Sequence, residues 1–313
     1  MKKQSSLFLL LATCALSACG GNGSDESSAP EDPLAYYKNQ AVVWNDCHQY
    51  LSESTSSPEG LAYVAQLGSR LQCADIKAPM DYQQPGGLQI TLSMLRVLAP
   101  ESRNKPNLFL NPGGPGLDGQ KLSLVYSQLL SNGNPDSALG RKYTALSNAY
   151  NLVGFSPRGV GASSNIICAG NELVYNADST RWGDSAENLA RITDDARYTA
   201  SNCQKNPIAA YISTDSTARD LDLMRHLLGD EKLHYHGTSY GTWLGFWYAG
   251  LFPEKTGPMV LDSNMNYSRS VHQAGISYVE GQTHTFKDFI APYAARHDPI
   301  LGRAHRPTLS FSN

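Results

Sequence analysis

The 313 residues are 41% hydrophobic and 17% charged, which gives enough apolar material for a large core and excludes wholesale disorder. The 27 glycines and 17 prolines lack the period of collagen and are too frequent for a coiled coil; they suit a loop-rich globular chain. Twenty-five Lys and Arg against 28 Asp and Glu leave a net charge of −3 with no basic block, so a nucleic-acid partner has no electrostatic footprint here.

Residues 1–18 read as an export signal: Lys2 and Lys3, then the apolar run LFLLLATCAL, then small residues. The junction Leu16-Ser17-Ala18-Cys19 resembles the bacterial lipobox, in which the cysteine becomes the first mature residue and carries lipid. Cys19 is therefore the expected lipidation site, and the membrane is the expected partner through that lipid. Gly20 rather than Asp follows it, which favours a periplasm-facing outer-membrane address in a cell that has one. Residues 19–35, CGGNGSDESSAPEDP and onward, form a polar tether without periodicity. Beyond it lie Cys47, Cys73, Cys168 and Cys203, an even number in an exported chain, which favours disulfides and leaves the connectivity open. Nearness in sequence favours Cys47–Cys73 with Cys168–Cys203. No cysteine or histidine spacing marks a metal site, and no cofactor is called for.

Between 34 and 80 the patches LAYYKNQAVVW and EGLAYVAQLGSRLQ are helix-like. The alternating run at 88–100 and the short apolar runs PNLFLNP (106–112) and AYNLVGFSP (149–157) predict strands, the last two stopped by glycine and proline. Helical periodicity follows at 184–202 and 217–229. LHYHG (233–237) is a strand that runs straight into a helical segment, MVLD (259–262) is a further strand, and 269–295 contains another helix. Strands alternating with helices of crossover length imply a mostly parallel sheet with helices on both faces, whose chemistry sits at the carboxyl ends of the strands.

The sharpest motif is Gly237-Thr238-Ser239-Tyr240-Gly241, a G-x-S-x-G between a strand and a helix. A strand-to-helix turn of this kind raises the Ser239 hydroxyl clear of the sheet, and Gly237 and Gly241 give it clearance. The new helix offers backbone N–H groups to developing negative charge. Directly after the strand LFL comes Asn111-Pro112-Gly113-Gly114-Pro115-Gly116, whose glycines let the backbone approach a ligand. Gly114 N–H and Tyr240 N–H are the expected oxyanion hole. The loop GFSPRGVGAS (154–163) lacks the spacing of a dinucleotide fingerprint, and Arg158 in it reads as a structural cation that pairs with a carboxylate or with carbonyls.

Taken together, NPGGPG, NLVGFSPRGVGASS, STARDLDLMRHLLG and YHGTSYGTWLGFWYAGLFP resemble the secreted tripeptidyl and prolyl aminopeptidase group of α/β-hydrolases. CADIKAPMDYQQP (73–85) resembles the entry to that group's first sheet strands, and with Trp44 and Cys47 it extends the likeness to about residue 36. The resemblance implies an α/β-hydrolase core over 36–268, the start of a cap over 269–313, and a Ser-Asp-His triad that removes residues from free peptide N-termini. A peptide or a small amide or ester is then the substrate. The chain departs from the group at Ser156 and Asn151, where aspartates are usual, and both changes remove negative charge around Arg158.

The acid and base of such a triad follow the nucleophile in the chain, on loops beyond later strands. After Ser239 the sequence gives only MVLD and then helical or irregular stretches, so the last strands with their acid and histidine are not found. The expectation is a form shortened relative to its ancestor, with impaired catalysis, or a non-catalytic envelope protein that binds a peptide or protein in the residual cleft. Asp262 is the available acid. His272, His284, His297 and His305 are the available bases after the elbow, while His226, His234 and His236 precede it. Glu280 and Asp288 are candidates for receiving a substrate ammonium group.

Overall fold

The computed structural model describes residues 32–47, 58–101, 104–168 and 185–297. In chain order these hold α1 (Ala35–Lys38), α2 (Pro58–Leu67), β1 (Leu71–Pro79), β2 (Gln89–Val97), β3 (Asn107–Asn111), α3 (Gln120–Ser131), α4 (Ala138–Ala149), β4 (Asn151–Ser156), α5 (Ala186–Cys203), α6 (Thr214–Leu227), β5 (Leu233–Thr238), α7 (Tyr240–Leu251), β6 (Thr256–Asp262), α8 (Val271–Thr285) and α9 (Ala291–His297). A π-helical turn, Phe286–Ile290, joins the last two helices. Cys19 and the predicted signal and tether up to 31 lie outside the described residues, as does His305.

The six strands form one sheet in the order β1-β2-β4-β3-β5-β6. β2 runs antiparallel to both β1 and β4, and the β4-β3-β5-β6 portion is parallel throughout. Successive strand side chains point to opposite faces, so two cores form. On one face Ile76, Leu92, Met94, Phe109, Val153 and Tyr235 pack with residues of α6 and α7, among them Leu221, Met224, Leu244 and Tyr248. On the other, Leu71, Cys73, Leu95, Val97, Leu110 and Leu152 pack with Tyr63 and Leu67 of α2 and Leu124 and Leu130 of α3. β3 and β4 are short and buried at nearly every position, as inner strands covered on both sides must be. β6 is the outer strand among the described residues, and its Val260 is 61% exposed.

Both expected disulfides are formed, Cys47–Cys73 and Cys168–Cys203. The first fastens the segment before α2 to the outer strand β1, where Asn45 and Cys73 also exchange backbone hydrogen bonds of 2.8 and 3.0 Å. This covers part of an edge that would otherwise present unpaired backbone groups. Replacing Cys47 and Cys73 together by serine is expected to lower the unfolding free energy by about 2–4 kcal/mol. Urea titration of the oxidised protein and its variant measures this, and non-reducing peptide mapping checks the pairing.

Candidate active site

β5 ends at Thr238 and α7 begins at Tyr240, so Ser239 alone makes the turn. Its φ of 56° and ψ of −121° lie in a region that non-glycine residues rarely occupy. The surroundings over-determine that conformation. Ser239 N–H donates to Asp262 O on β6 (2.9 Å), and Ser239 O accepts from Thr242 N–H (2.9 Å) and the Thr242 hydroxyl (2.6 Å). The Tyr235 hydroxyl donates to Gly241 O at 2.8 Å, tying the strand to the first turn of the helix. A Cβ on Gly237 would collide with the Gly241 carbonyl, and one on Gly241 would lie 2.7 Å from Asn111 O. Both glycines of the motif are thus required by close backbone approach.

The glycine loop after β3 packs onto this turn. Gly113 has φ +96°, and a Cβ there would sit 2.5 Å from Thr238 O and 2.8 Å from Tyr240 N. Its own N–H is held by Asn111 Oδ1 at 3.0 Å, which leaves Gly114 N–H as the next donor along the loop. Gly114 has φ +108° and is joined to Pro115 by a cis peptide bond. Tyr240 is the first residue of α7, so its N–H has no acceptor within the helix and carries the positive end of the helix dipole. Loop and elbow therefore meet backbone to backbone beside the nucleophile. Sequence reasoning singled out Gly114 and passed over Gly113, the glycine in direct contact with the elbow. The run of glycines signalled the loop, but only the fold tells which member touches Tyr240.

The Tyr240 side chain is pinned by a hydrogen bond of 2.5 Å to Thr214 Oγ1 at the start of α6, a residue the sequence did not flag. Burial raises the Tyr240 pKa and the Thr214 contact offsets part of that rise, so the phenol stays neutral at physiological pH. A cleft of about 290 Å³ opens here, between the glycine loop, the turn after β4, the start of α6 and Tyr240 and Leu244 of α7.

Arg158 is among the residues lining this cleft and is fully buried. Nε and Nη2 grip the two oxygens of Asp220 at 2.7 Å each, while Nη1 donates to Met80 O (2.8 Å) and Tyr211 O (3.2 Å) and Nη2 to Pro79 O (3.3 Å). This is the structural cation expected from the sequence, with both a carboxylate and carbonyls as partners. The Tyr82 hydroxyl donates to the same carboxylate at 2.8 Å, and burial, then the Asp220 charge, holds its pKa well above the usual phenol range. The residues standing where aspartates are usual serve the scaffold. Ser156 Oγ donates to Asp118 Oδ1 (2.9 Å), and Asn151 receives Ala99 N–H while donating to Lys105 O, both at 3.0 Å. An aspartate at 151 has no proton for the last bond.

The candidate acid and bases are not gathered at Ser239, and among the described residues its hydroxyl makes no hydrogen bond. Asp262 ends β6 with an exposed carboxylate whose nearest hydrogen-bond partner is its neighbour Ser263 (3.4 Å). His236 is half-buried against Tyr126, ring centroids 5.2 Å apart, and burial lowers its pKa despite the opposing pull of Asp262. His234 packs edge-on against Tyr150, and His226 and His272 are exposed. His284 pairs with Asp288 on the outer helical run (Nδ1 to Oδ2 2.5 Å), and His297 contacts Tyr293 O (3.0 Å). Glu280 and Asp288 share a separate shallow groove with His284 and Lys287 and do not line the cleft. No group of three or more His, Cys, Asp or Glu side chains among the described residues is arranged to hold a metal ion.

Comparison with known proteins agrees with this geometry. Residues 106–301 match the family described as alpha/beta hydrolase fold. The chain is similar to a tripeptidyl aminopeptidase of Streptomyces lividans, 36% identical over 237 residues, covering 72% of this chain and 42% of that protein. It is also similar to the serine protease Hip1 of Mycobacterium tuberculosis, 30% identical, covering 84% of this chain and 47% of the relative. A carboxylesterase B of the same organism is 29% identical, with 87% and 49% covered. The chain thus spans under half the length of each of these relatives. With the strand order, the strained serine and the opposing glycine loop all in place, the chain belongs to the α/β-hydrolase fold family.

Proposed function

We propose that this protein is a serine hydrolase of the aminopeptidase type, in which the Ser239 hydroxyl attacks the carbonyl of a peptide or small amide or ester. The carbonyl oxygen becomes an oxyanion held by Gly114 N–H and Tyr240 N–H, the leaving amine or alcohol departs with the proton that Ser239 gives up, and water then releases the acyl group as a carboxylic acid and restores the Ser239 hydroxyl. The observation that carries the reading is the meeting of elbow and glycine loop: a strained serine at a helix N-terminus, with Gly113 against Tyr240 N. Two of the similar proteins are named as peptidases and one as an esterase, so peptide and ester chemistry both fall within the proposal. No acid or base among the described residues is hydrogen-bonded to Ser239, and an unassisted serine is a weak nucleophile, so only slow turnover is expected unless both are supplied.

The test is a panel of substrates with a free peptide N-terminus, a blocked N-terminus and a simple ester, each assayed with the protein and with Ser239→Ala. Preference for the free N-terminus, lost in the variant, supports the aminopeptidase reading. Faster cleavage of blocked peptides or esters moves the assignment to an endopeptidase or esterase, and cleavage indifferent to Ser239 overturns it.

The proposal places the protein in the cell envelope, held by lipid on Cys19. No helix among the described residues is long and apolar enough to cross a membrane. The LSAC junction after an apolar run supports the lipid as the membrane contact. Cys19→Ala is expected to move the protein from the membrane fraction to the soluble fraction; unchanged partitioning counts against the anchor.

A further inference from the structure

The cleft beside Ser239 presents no free side-chain charge. Arg158 is the single ionised side chain among the described residues lining it, and all five of its N–H groups face protein oxygens, so it has no donor left for a substrate carboxylate. The other polar side chains of the lining are uncharged, and each is hydrogen-bonded within the protein. Asn111 Oδ1 holds Gly113 N–H, Thr214 and Tyr240 hold each other, Ser213 Oγ accepts Ser216 N–H at 3.1 Å, and the Thr217 hydroxyl donates to Ser213 O at 2.9 Å. What the walls offer is apolar: Pro115, Val160, Ile212, Leu244 and Val271. The volume, about 290 Å³, lies at the lower edge of the roughly 300–1,000 Å³ usual for ligand pockets, and suits one or two side chains rather than an extended ligand.

We infer that this cleft receives an uncharged, apolar acyl side chain of the substrate, and that Val160, Ile212 and Val271 set that preference. The inference rests on acyl transfer to Ser239 as proposed above and adds the class of acyl group. A charged side chain entering the cleft loses its water and finds no counter-charge, a cost far larger than the gain from a few methylene contacts. An apolar one displaces water from aliphatic walls and leaves the buried Arg158–Asp220 pair with all its partners. Glu280 and Asp288, the candidates for an ammonium group, line a different groove and cannot alter this discrimination.

The experiment compares the butyryl and hemisuccinyl esters of p-nitrophenol, reading the Ser239-dependent release of p-nitrophenol relative to the alkaline hydrolysis rate of each ester. The butyryl ester should acylate faster by at least about tenfold. Ile212→Lys and Val271→Lys should shrink or reverse that ratio by supplying a counter-charge. Both positions are partly exposed, at 39% and 37%, so neither substitution opens the core, and unchanged thermal unfolding confirms the fold. Equal use of the two esters, or a ratio unmoved by both lysines, overturns the inference while Ser239-dependent acylation stands. A second measurement needs no chemistry: ligand-observed NMR of Ser239→Ala with butyramide and with succinamate. Binding of butyramide alone, weakened in the Val271→Lys background, supports the cleft assignment even where no ester acylates. Binding of both, or of neither, overturns it.

Discussion

Arg158→Met is expected to destabilise the protein by about 3–5 kcal/mol, because it strips one partner from a buried ion pair and leaves the other charged and unpaired. Arg158 and Asp220 are 0% and 1% exposed, so water cannot substitute for the lost contact. The substitution also abandons three carbonyls, Pro79, Met80 and Tyr211, which the guanidinium draws together from β1, the turn after it and the segment before α6. Lysine should rescue little, since a single ammonium cannot reproduce a bidentate grip and three carbonyl bonds at once. Arg158→Met combined with Asp220→Leu should recover part of the loss by removing the stranded carboxylate. Urea unfolding at constant slope reads all three variants. A loss below about 1 kcal/mol in the single variant, the range of exposed pairs, would show that the pair is hydrated and is not a structural keystone.

The second large effect is on reactivity. Gly113→Ala places a methyl group 2.5 Å from Thr238 O and 2.8 Å from Tyr240 N, so the loop must retreat from the elbow. Losing a positioned oxyanion donor typically slows acyl transfer by about 10²–10³-fold, and that is the expected fall in the acylation rate of Ser239. Gly116→Ala is the matched control. Gly116 also has a positive φ, +91°, but the nearest atom to its added methyl is Val160 Cγ2 at 4.0 Å. Both variants carry the backbone strain of a left-handed alanine, about 1–2 kcal/mol, and only the first carries the clash with the elbow. Equal rate losses in the two would mean that strain alone, and not the approach of loop to elbow, governs the site.

Much of this architecture is legible in the sequence because its signals are local. The elbow announces itself by two glycines around Ser239, and the inner strands β3 and β4 by continuous apolar runs stopped at glycine and proline. The outer strand β1 shows in the likeness of CADIKAP to the entry of the family's sheet and not in its periodicity. Its residues follow a helix directly, and periodicity carried the helical reading on through EGLAYVAQLGSRLQ, whereas α2 ends at Leu67 because Gly68 takes φ +52°. LAYYKNQAVVW likewise yields one helical turn, Ala35–Lys38, before the chain turns to pair with β1 at Asn45. Helices α3 and α4 carry few continuous apolar residues, and α3 buries Gln120, Ser123 and Ser127 along with two leucines, a polar stripe that hydrophobic periodicity does not register. Long-range facts stayed out of reach. The sequence says that Arg158 needs a carboxylate, but the one it finds is 62 residues away on α6, and the strand order that unites them is a property of the whole sheet.

The central claim is that Ser239 is a nucleophile held in reach of the oxyanion donors. A fluorophosphonate probe tests it most directly: incubate the folded protein, its heat-denatured form and Ser239→Ala, then digest and locate the adduct by mass spectrometry. The account predicts a single adduct on the peptide containing Gly237-Thr238-Ser239-Tyr240-Gly241, formed faster in the folded protein than in the denatured one and absent from the variant. No adduct in the folded protein, or equal labelling of the folded protein and Ser239→Ala, would contradict it.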